Sequence, residues 1–484
     1  MKFLYTHQQS KETEARCSQE FFLDEEILIE NAGLGCWNIL LKEMQTDQTL
    51  AVLVGGGNNG ADALALARHA YVEKQVCILL CTERFHTHSQ KQLNRCRSIG
   101  IPTYKVTSKK GKQCLQSSQW IVDGLCGIGL KGPLKEAYQK IVKQVACSSA
   151  KVCSIDIPSG AWENFTPDNS IVQANCTIMT GTRHVLCYEP LLRSYCGKLL
   201  FSTAGFPNSS YSDSQVLLLE SEDISSYVTI PREDSYKHKR GEVAIFAGSA
   251  LMPGAAILCA SAALKSLAGL VRIYSSTSID VSLFPSLMYG QRDKYIHADV
   301  ALLGPGWGTK EEQKQILDRV LKTSLPLVLD ADALTILATC EDLQYPRDNM
   351  VLTPHPAEAA RLLHVKTKEV LERPYHTASL LAKKFNALVL LKSHVPTLVS
   401  PDGKRMIADG MNASLAVAGS GDVLAGIIAG LIAAGHDINS AVIAGMLVHQ
   451  QAGRYMREEI GFGSSKDLIS FISKVFLLDI ISRL

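Results

Sequence analysis

The strongest chemical signal in the sequence is Ala418-Gly419-Ser420-Gly421-Asp422, which is followed by an apolar run of helical length. Glycines allow backbone N–H groups to turn toward a negatively charged group, and the N-terminus of a helix adds positive potential there. Asp422 then stands where it can take a proton from a hydroxyl group. The pattern is typical of phosphoryl transfer, although an N-cap aspartate after a flexible turn explains the pentapeptide alone equally well.

Further polar loops in the second half support a phosphate site. A Gly-Pro-Gly turn at 304–306 ends one strand pattern, two aspartates at 330 and 332 end another, and His355 lies between two prolines. Lys392 follows a later strand pattern and supplies a cation suited to a nucleotide phosphate, although a solvated surface lysine is the simpler alternative. Carboxylate oxygens near phosphates predict magnesium.

A second group of candidate residues lies in the first half. Residues 55–62, Gly-Gly-Gly-Asn-Asn-Gly-Ala-Asp, join a strand pattern to a helical pattern and formally match the dinucleotide fingerprint, with Glu83 as the possible ribose-binding acid. The two asparagines and the aspartate instead favour a cation or a sugar–amide ligand, because they supply more side-chain oxygens than a pyrophosphate needs. Both interpretations stay open for this loop alone.

Two more carboxylates, Asp123 and Asp156, come directly after strand patterns. Asp123 precedes a loop whose glycines, Gly127 and Gly129, are compatible with phosphate binding, and Asp156 begins the segment Asp-Ile-Pro-Ser-Gly. One aspartate at a strand end is usually a cap or a turn former. Three such loops predict a ligand site, because open α/β sheets bind ligands at the carboxyl edge of their strands.

The elements that position these residues follow a repeated pattern of a short apolar run, a glycine or carboxylate, and a longer helical run. We predict an α/β fold with parallel sheets in two three-layer domains, residues 1–224 and 225–484, separated by a polar stretch. The N-terminal domain is predicted to be Rossmann-like and doubly wound. The predicted elements are strands 50–54, 76–81, 243–247, 271–274, 300–303, 325–330, 350–352 and 387–391 and helices 62–74 and 253–268.

Composition narrows the class of protein. The chain has 484 residues with 49 Lys and Arg against 47 Asp and Glu, so neither nucleic acid nor an anionic membrane is an expected partner. The apolar run after Asp422 is shorter than the about 20 residues that cross a bilayer. The N-terminus turns polar within a few residues, and the 14 cysteines form no CxxC pair. We predict a cytoplasmic enzyme of small-molecule chemistry that forms a homo-oligomer.

Taken together, the three N-terminal loops resemble the NAD(P)HX epimerase domain of the YjeF type, and residues 28–33 match its N-terminal helix. The resemblance implies that the R and S epimers of the hydrated cofactors NADHX and NADPHX are interconverted, with Asp156 as the proton shuttle. It assigns potassium to Asn59, Asp123 and Ser159. It assigns the substrate to Asn58, Asn59, Gly60, Ala61, Asp62, Gly127, Ile128, Gly129, Leu130, Lys131, Gly132, Pro133 and Asp156.

The chain departs from that family where Ala61 and Ala63 replace glycines. A methyl group at each position restricts the backbone or crowds the ligand, which predicts weaker epimerase activity. The remaining residues of the loop keep the family pattern.

The C-terminal half resembles the ribokinase-like superfamily, and within it the NAD(P)HX dehydratases. The markers are residues 254–256, 304–306, 353–358 and 412–426. The resemblance implies that ADP, with magnesium, phosphorylates the hydrated ring, and that loss of phosphate restores NAD(P)H and leaves AMP. The implied substrate contacts are Ala256, Gly306, His355 and Asp422, the last being catalytic. The implied nucleotide contacts are Lys392, Ser393, His394, Val395, Pro396 and Gly421. Two departures, Ser393 and Ser414, are expected to perturb the nucleotide fit.

We therefore predict a bifunctional metabolite-repair enzyme in which the epimerase supplies the S epimer to the dehydratase. One alternative is a small-molecule kinase with a regulatory cofactor-binding domain, from which a phosphorylated product would accumulate. Another is a non-catalytic NAD-sensing or scaffold protein, for which Asp422→Asn would change nothing.

Overall fold

The computed structural model describes residues 2–45, 47–167, 169–275, 277–280, 284–290, 297–340 and 347–480. It divides into two compact units, one of residues Phe3–Val216 and one that contains Lys2 and the residues from Leu217 onward. The division lies upstream of the boundary predicted at residue 225. Leu217 belongs to a strand of the C-terminal sheet, a short apolar segment that the sequence pattern had left before the polar stretch.

The N-terminal unit is built on seven parallel strands in the order β4-β3-β2-β5-β6-β7-β8. Its strands are β2 (Leu50–Val54), β3 (Val76–Leu80), β4 (Thr103–Lys105), β5 (Trp120–Gly124), β6 (Lys151–Ile155), β7 (Cys176–Thr180) and β8 (Lys198–Ser202), and β1 (Lys2–Phe3) precedes them at the edge of the other sheet. Strand order reverses between β2 and β5, which defines a switch point where open α/β sheets bind ligands.

In the described residues, the helices that accompany this sheet are α1 (His7–Phe21), α2 (Glu25–Leu40), α3 (Asn58–Ala70), α4 (Thr87–Ser98), α5 (Lys109–Ser117), α6 (Glu136–Ala146) and α7 (Pro190–Arg193). Helices α2 and α3 pack closely, since a methyl group on Gly33 would lie 2.4 Å from Cβ of Ala65. Helix α3 begins at Asn58, four residues earlier than predicted. Asn58, Asn59 and Gly60 form its first turn, where the backbone N–H groups have no hydrogen-bond partner within the helix.

The C-terminal unit contains an 11-stranded sheet in the order β1-β9-β18-β17-β16-β15-β14-β13-β10-β11-β12. The strands from β10 to β16 pair in parallel, and β17 and β18 are antiparallel. The strands of this sheet that follow β1 in the chain are β9 (Val216–Leu219), β10 (Glu242–Phe246), β11 (Leu270–Tyr274), β12 (Met288–Tyr289), β13 (Val300–Leu303), β14 (Leu327–Leu329), β15 (Met350–Leu352), β16 (Leu388–Leu391), β17 (Thr397–Val399) and β18 (Arg405–Ala408).

The helices of this unit are α8 (Pro253–Lys265), α9 (Glu311–Leu321), α10 (Ala331–Thr339), α11 (Pro356–Leu363), α12 (Thr367–Glu372), α13 (Pro374–Phe385), α14 (Ser420–Ala433), α15 (Ile438–Ile460) and α16 (Ser465–Val475). Helix α14 is buried along nearly its whole length. Its glycines allow close packing on α8, because a methyl group on Gly426 would lie 2.3 Å from the carbonyl oxygen of Cys259.

The predicted fold class, two α/β domains with parallel sheets, is confirmed. Most element boundaries differ from the predictions by a few residues at most; β14, for example, begins after Pro326, which has no N–H group to donate to a ladder. Among the helices of the described ranges, none is long and apolar enough to cross a membrane.

Candidate functional site

In the N-terminal unit, all three predicted loops meet at the carboxyl edge of the sheet. Their meeting point is Gly127, because a methyl group there would lie 2.4 Å from Oδ2 of Asp156 and 3.4 Å from Cγ of Asn59. A side chain at position 127 would collide with the Asp156 carboxyl group. Glycine therefore allows this loop to approach Asp156 closely.

Asn59 lies in the first turn of α3 and is buried. Neither atom of its amide group has a hydrogen-bond partner among the described residues. Buried polar groups are almost always paired, so the unpaired Asn59 amide indicates a ligand or an ion. Gly57, the N-cap residue of α3, offers no side chain to occupy the helix N-terminus.

Asp123 and Ser159 are joined directly. The Ser159 hydroxyl donates to Oδ1 of Asp123 at 2.6 Å and the Ser159 N–H donates to Oδ2 at 2.9 Å, while Ser154 donates to Oδ2 at 2.8 Å. Burial raises the pKa of Asp123, and these hydrogen bonds act in the opposite direction. Two of the three residues predicted to bind potassium are thus in contact. The third, Asn59, has an amide oxygen without a hydrogen-bond partner among the described residues.

Asp156 is held in a left-handed conformation with φ of 70°, which is unusual for a residue with a side chain and is typical of functional sites. Its Oδ2 accepts from the N–H of Ile128 at 2.7 Å, and its Oδ1 contacts Nε2 of His184. Burial alone would raise the pKa of Asp156. The charge and hydrogen bond of His184, together with the Ile128 N–H and His7, outweigh it and lower the pKa. The carboxylate is therefore ionised at neutral pH.

Helix α1 contributes residues that the sequence patterns did not indicate. Its Ser10 hydroxyl lies 2.7 Å from the Thr182 hydroxyl and 3.4 Å from Nδ1 of His184, and so supports the histidine that contacts Asp156. Both ring nitrogens of His7 are shielded from solvent without a hydrogen-bond partner in the described part of the chain. A methyl group on Gly129 would lie 4.0 Å from Cε1 of His7.

The rest of the predicted substrate loop, residues 128–133, is partly or fully exposed beside these groups. Asn58 and Asp62 line an open cleft of about 70 Å³. Burial, followed by the charges of Asp156 and Glu14, raises the pKa of Asp62 well above its usual value.

The two alanines that replace family glycines point into the interior. Ala61 is fully buried in a small apolar cluster with Ile29 and Ala65. Ala63 is also fully buried, and its methyl group would lie 2.3 Å from a methyl group on Gly124. Their side chains therefore pack between secondary-structure elements.

In the C-terminal unit, Asp422 lies in the first turn of α14 as predicted. The helix is preceded by Gly419 with φ of 85°, a conformation that favours glycine. A methyl group on Gly421 would lie 3.4 Å from Nζ of Lys392 and 4.0 Å from Oδ2 of Asp330. The turn around Gly421 therefore lies close to both Lys392 and Asp330.

The environment of Asp422 favours its protonated form. Burial and then the negative charge of Asp330 raise the pKa of Asp422 to about 7, with smaller contributions from Asp332 and Glu358, and Lys392 acts against them. A carboxyl group that titrates near neutral pH is suited to general base catalysis.

Lys392 forms ion pairs with two carboxylates. Its ammonium group lies 2.5 Å from Oδ1 of Asp330 and 3.9 Å from Oε2 of Glu358. Burial acts against its charge, but these two groups and Asp422 raise the pKa of Lys392 above its usual value. The charge that the sequence suggested for a nucleotide phosphate is therefore shared with acidic groups of the site.

His355 caps helix α11. Its Nδ1 accepts from the N–H groups of Ala357 at 3.1 Å and Glu358 at 3.3 Å, and its Nε2 lies 3.2 Å from Oε1 of Glu358. Burial, followed by the charges of Lys392 and Arg361, lowers the pKa of His355. The ring is half-exposed, so it combines the capping role with a face open to a ligand.

The other predicted contacts lie at loop positions of the same sheet. Gly306 has φ of 56°, and a methyl group there would lie 2.9 Å from Cβ of Met252, while Ala256 is fully buried in α8. In the nucleotide loop, the Ser393 hydroxyl donates to the carbonyl oxygen of Val395 at 2.7 Å and accepts from the Val395 N–H at 3.0 Å. Ser393 and His394 are exposed, and Val395 and Pro396 are buried.

Within the described ranges, no three His, Cys, Asp or Glu side chains lie close enough together to hold a metal ion. The carboxylates near Asp422 can thus supply one or two ligands. This suits magnesium, which is commonly held by few carboxylates together with substrate phosphates.

Comparisons with known proteins agree with this division. Residues 25–184 match the model of the YjeF-related protein N-terminus, and residues 243–474 match the NAD(P)H-hydrate dehydratase model. The chain is 30% identical to the bifunctional NAD(P)H-hydrate repair enzyme Nnr of Coxiella burnetii, over 95% of this chain and 96% of the relative. The corresponding enzyme of Thermofilum pendens is also 30% identical, over 92% of this chain and 90% of its own.

Solved structures match the C-terminal part. An ADP/ATP-dependent NAD(P)H-hydrate dehydratase from Bacillus subtilis, co-crystallized with ATP and Mg²⁺, is 25% identical with a TM-score of 0.50, and covers 55% of this chain and 100% of its own. A ribokinase-like superfamily protein from Enterococcus faecalis is also 25% identical, with a TM-score of 0.51 over 56% of this chain and 98% of its own.

Proposed function

The chain belongs to the family of bifunctional NAD(P)H-hydrate repair enzymes, with an epimerase and a dehydratase domain, and from this premise we propose how its two sites divide the work. The N-terminal site interconverts the R and S epimers of NADHX and NADPHX. The C-terminal site dehydrates the S epimer with ADP and magnesium, and yields NAD(P)H, AMP and phosphate. A cytoplasmic location and a homo-oligomeric state stay predictions.

In the dehydratase, the proposal depends on Asp422. The Asp422 carboxylate takes the proton from the hydroxyl group of the hydrated ring as this oxygen attacks the terminal phosphorus of ADP. AMP leaves, and phosphate then departs from the ring together with a proton to restore the dihydropyridine. Backbone N–H groups at the start of α14 are placed to stabilise the negative charge on the transferred group. The turn around Gly421, beside Lys392 and Asp330, is the observation that carries this proposal.

The contacts proposed for the dehydratase are those of the sequence analysis. Ala256, Gly306, His355 and Asp422 bind the hydrated nicotinamide, and residues 392–396 with Gly421 bind the adenine nucleotide. Support comes from the exposed polar groups of Ser393 and His394 at the loop and from the open ring face of His355. Magnesium would bridge the phosphates to the acidic groups of the site and neutralise charge on them.

In the epimerase, residues 58–62 and 127–133 bind the hydrated cofactor, and Asp156 exchanges protons with it. Potassium, held by Asn59, Asp123 and Ser159, would supply a fixed positive charge beside the substrate. The unpaired Asn59 amide oxygen and the contact between Asp123 and Ser159 support this ligand set. Oxygen ligands of this kind suit a hard cation.

The test uses the full chain with a mixture of R and S hydrated NADH, magnesium and ADP, and follows the absorbance of the reduced ring and the release of AMP and phosphate. We expect complete recovery of NADH with one AMP and one phosphate for each molecule. Accumulation of a phosphorylated nucleotide would contradict the dehydratase and favour a kinase. Recovery that stops at the S fraction would contradict the epimerase.

A further inference from the structure

Interconversion of two epimers at a hydrated carbon requires proton transfer on two faces of the ring. The hydroxyl group leaves from one face as water, for which it needs a proton, and water adds to the other face, for which it must lose one. A single carboxylate can reach one face of a bound ring, so a second acid–base group is needed on the other side of the site.

Glu14 on α1 is the candidate for this second acid–base group. It lines the cleft that Asn58 and Asp62 also line, and these two residues belong to the proposed substrate loop. Asp156 lies beside Gly127 and Asn59, since a methyl group on Gly127 would lie 2.4 Å from Oδ2 of Asp156 and 3.4 Å from Cγ of Asn59, and its charge acts on Glu14. Two carboxyl groups from different elements, Glu14 and Asp156, therefore border the proposed substrate loop.

Helix α1 directs Glu14 toward this site. His7, Ser10 and Glu14 have the spacing i, i+3 and i+7 and therefore share one face of the helix. On this face, Ser10 contacts Thr182 and His184, which fixes the helix against the Asp156 pair. Glu14 is consequently positioned through Ser10 and His184.

We propose that Glu14 is the second acid–base residue of the epimerase, acting with Asp156 on the opposite side of the hydrated ring. This inference rests on the proposed epimerase function. In one direction the Glu14 carboxyl group gives its proton to the departing hydroxyl oxygen, the C–O bond breaks, and the electron pair of the ring nitrogen stabilises the planar cation. Water then adds to the other face, and Asp156 accepts its proton.

The atoms and charges balance without another reactant, because one water leaves and one water adds. The enzyme ends with Asp156 protonated and Glu14 ionised, which is the state that runs the reverse reaction. Proton exchange with solvent returns it to the starting state. The active form in both directions is the pair that carries one proton.

The charges around Glu14 suit this role. Glu14 lines the cleft and keeps access to solvent. Burial of its carboxyl group and then the charge of Asp156 raise the pKa of Glu14 to about 7. Glu25 on α2 raises it further, and His184 and Lys11 act in the opposite direction. Asp62 on α3 is the other acidic group whose charge is coupled to that of Glu14.

The experiment measures the approach of one purified epimer of hydrated NADH to the R and S mixture, by chromatography and without ADP, so that the dehydratase is silent. It compares the full-length wild type with Glu14→Gln, Glu14→Asp and a matched control, Glu12→Gln, which changes an exposed glutamate of the same helix. Dehydration of the S epimer with ADP and a thermal melt verify that each variant is folded.

We expect Glu14→Gln to lower kcat by about 100-fold or more with little change in KM. It should also remove the fall of kcat/KM that the wild type shows as the pH rises through about 7. Glu14→Asp should keep that alkaline fall and part of the rate, and Glu12→Gln should match the wild type.

A Glu14→Gln enzyme with the wild-type rate and pH profile would overturn the proposal, as would a change in KM alone. If Glu14→Gln fails to fold, Glu14→Asp decides, because loss of the alkaline fall in that variant would also overturn it. A wild type that does not epimerise would instead remove the proposed function itself.

Discussion

The two candidate catalytic aspartates both lie at the carboxyl edge of a parallel sheet but have opposite electrostatic environments. Asp156 follows β6 and lies beside Gly127, and Asp422 lies in the first turn of α14 directly after Gly421. His184 and the Ile128 N–H lower the pKa of Asp156 against burial, whereas burial and Asp330 raise the pKa of Asp422 to about 7. The edge of a parallel sheet therefore provides either a carboxylate that is ionised at neutral pH or a carboxyl group that titrates near neutral pH, depending on which residues surround it.

The largest effect should come from Asp422→Asn. The change keeps the size of the side chain but removes the base, so dehydration of the S epimer with ADP should fall by about 10³–10⁴-fold. Epimerisation of the same preparation should be unchanged, because Asp156 is in the other unit. Recovery of NADH absorbance and the ratio of epimers are the two measurements. Dehydration at the wild-type rate would show that Asp422 is not the base.

The reciprocal variant, Asp156→Asn, should lower epimerisation by about 10²–10³-fold and leave dehydration of purified S epimer unaffected. With a mixture of epimers, recovery of NADH should then stop near the S fraction and continue only as fast as the epimers interconvert without enzyme. An equal loss of both activities would indicate a general folding defect and break the comparison.

A smaller effect is expected from His184→Gln, which removes the imidazole that lowers the pKa of Asp156. Without it the pKa of Asp156 rises, so a larger fraction of the carboxylate is protonated as the pH falls. We expect less than about tenfold loss of epimerisation at pH 7 and a steeper loss near pH 5. The pH profile of kcat/KM from pH 4 to 8 measures it. An unshifted acid side of the profile would contradict the assigned partnership.

The smallest effect should come from Ala61→Gly, which restores the family glycine. Since Ala61 packs in the interior against Ile29, we expect the epimerase rate to change by less than about twofold. Glycine inside a helix should lower the free energy of unfolding by about 0.5–1 kcal/mol, measured by denaturant titration. A large gain in epimerase activity would show that the methyl group obstructs the ligand after all.

The comparison also shows what the sequence could predict. Asp156 was found because it follows a strand pattern, and strand ends of parallel sheets share an edge. Asp422 was found because it follows two glycines at the start of an apolar run of helical length. The early start of α3 at Asn58 was missed, because polar residues and glycine look like a loop until the helix N-terminus is known to face a ligand. Residues 123 and 159 were paired only through the family resemblance.

The sequence patterns could not indicate which residues act on the charge of each aspartate, and the reason is physical. His184 and Glu14 come from segments whose proximity to Asp156 is set by tertiary packing. Glu14 looks like an ordinary solvated residue on a polar helix, and the i, i+3, i+7 spacing with His7 and Ser10 was the only available signal. Lys392 was recognised as a cation, but its carboxylate partners come from the end of β14 and from the first turn of α11, so its ion pairs could not be predicted.

The most direct test of the account compares the acid sides of the two pH profiles on one preparation of the full chain. Dehydration of purified S epimer should lose about tenfold in kcat/KM for each pH unit below about 7, because Asp422 must be ionised. Epimerisation, corrected for the rate without enzyme, should keep its value through that range, because Asp156 stays ionised. Two profiles that fall together at the same pH would contradict the assignment of opposite environments to the two aspartates.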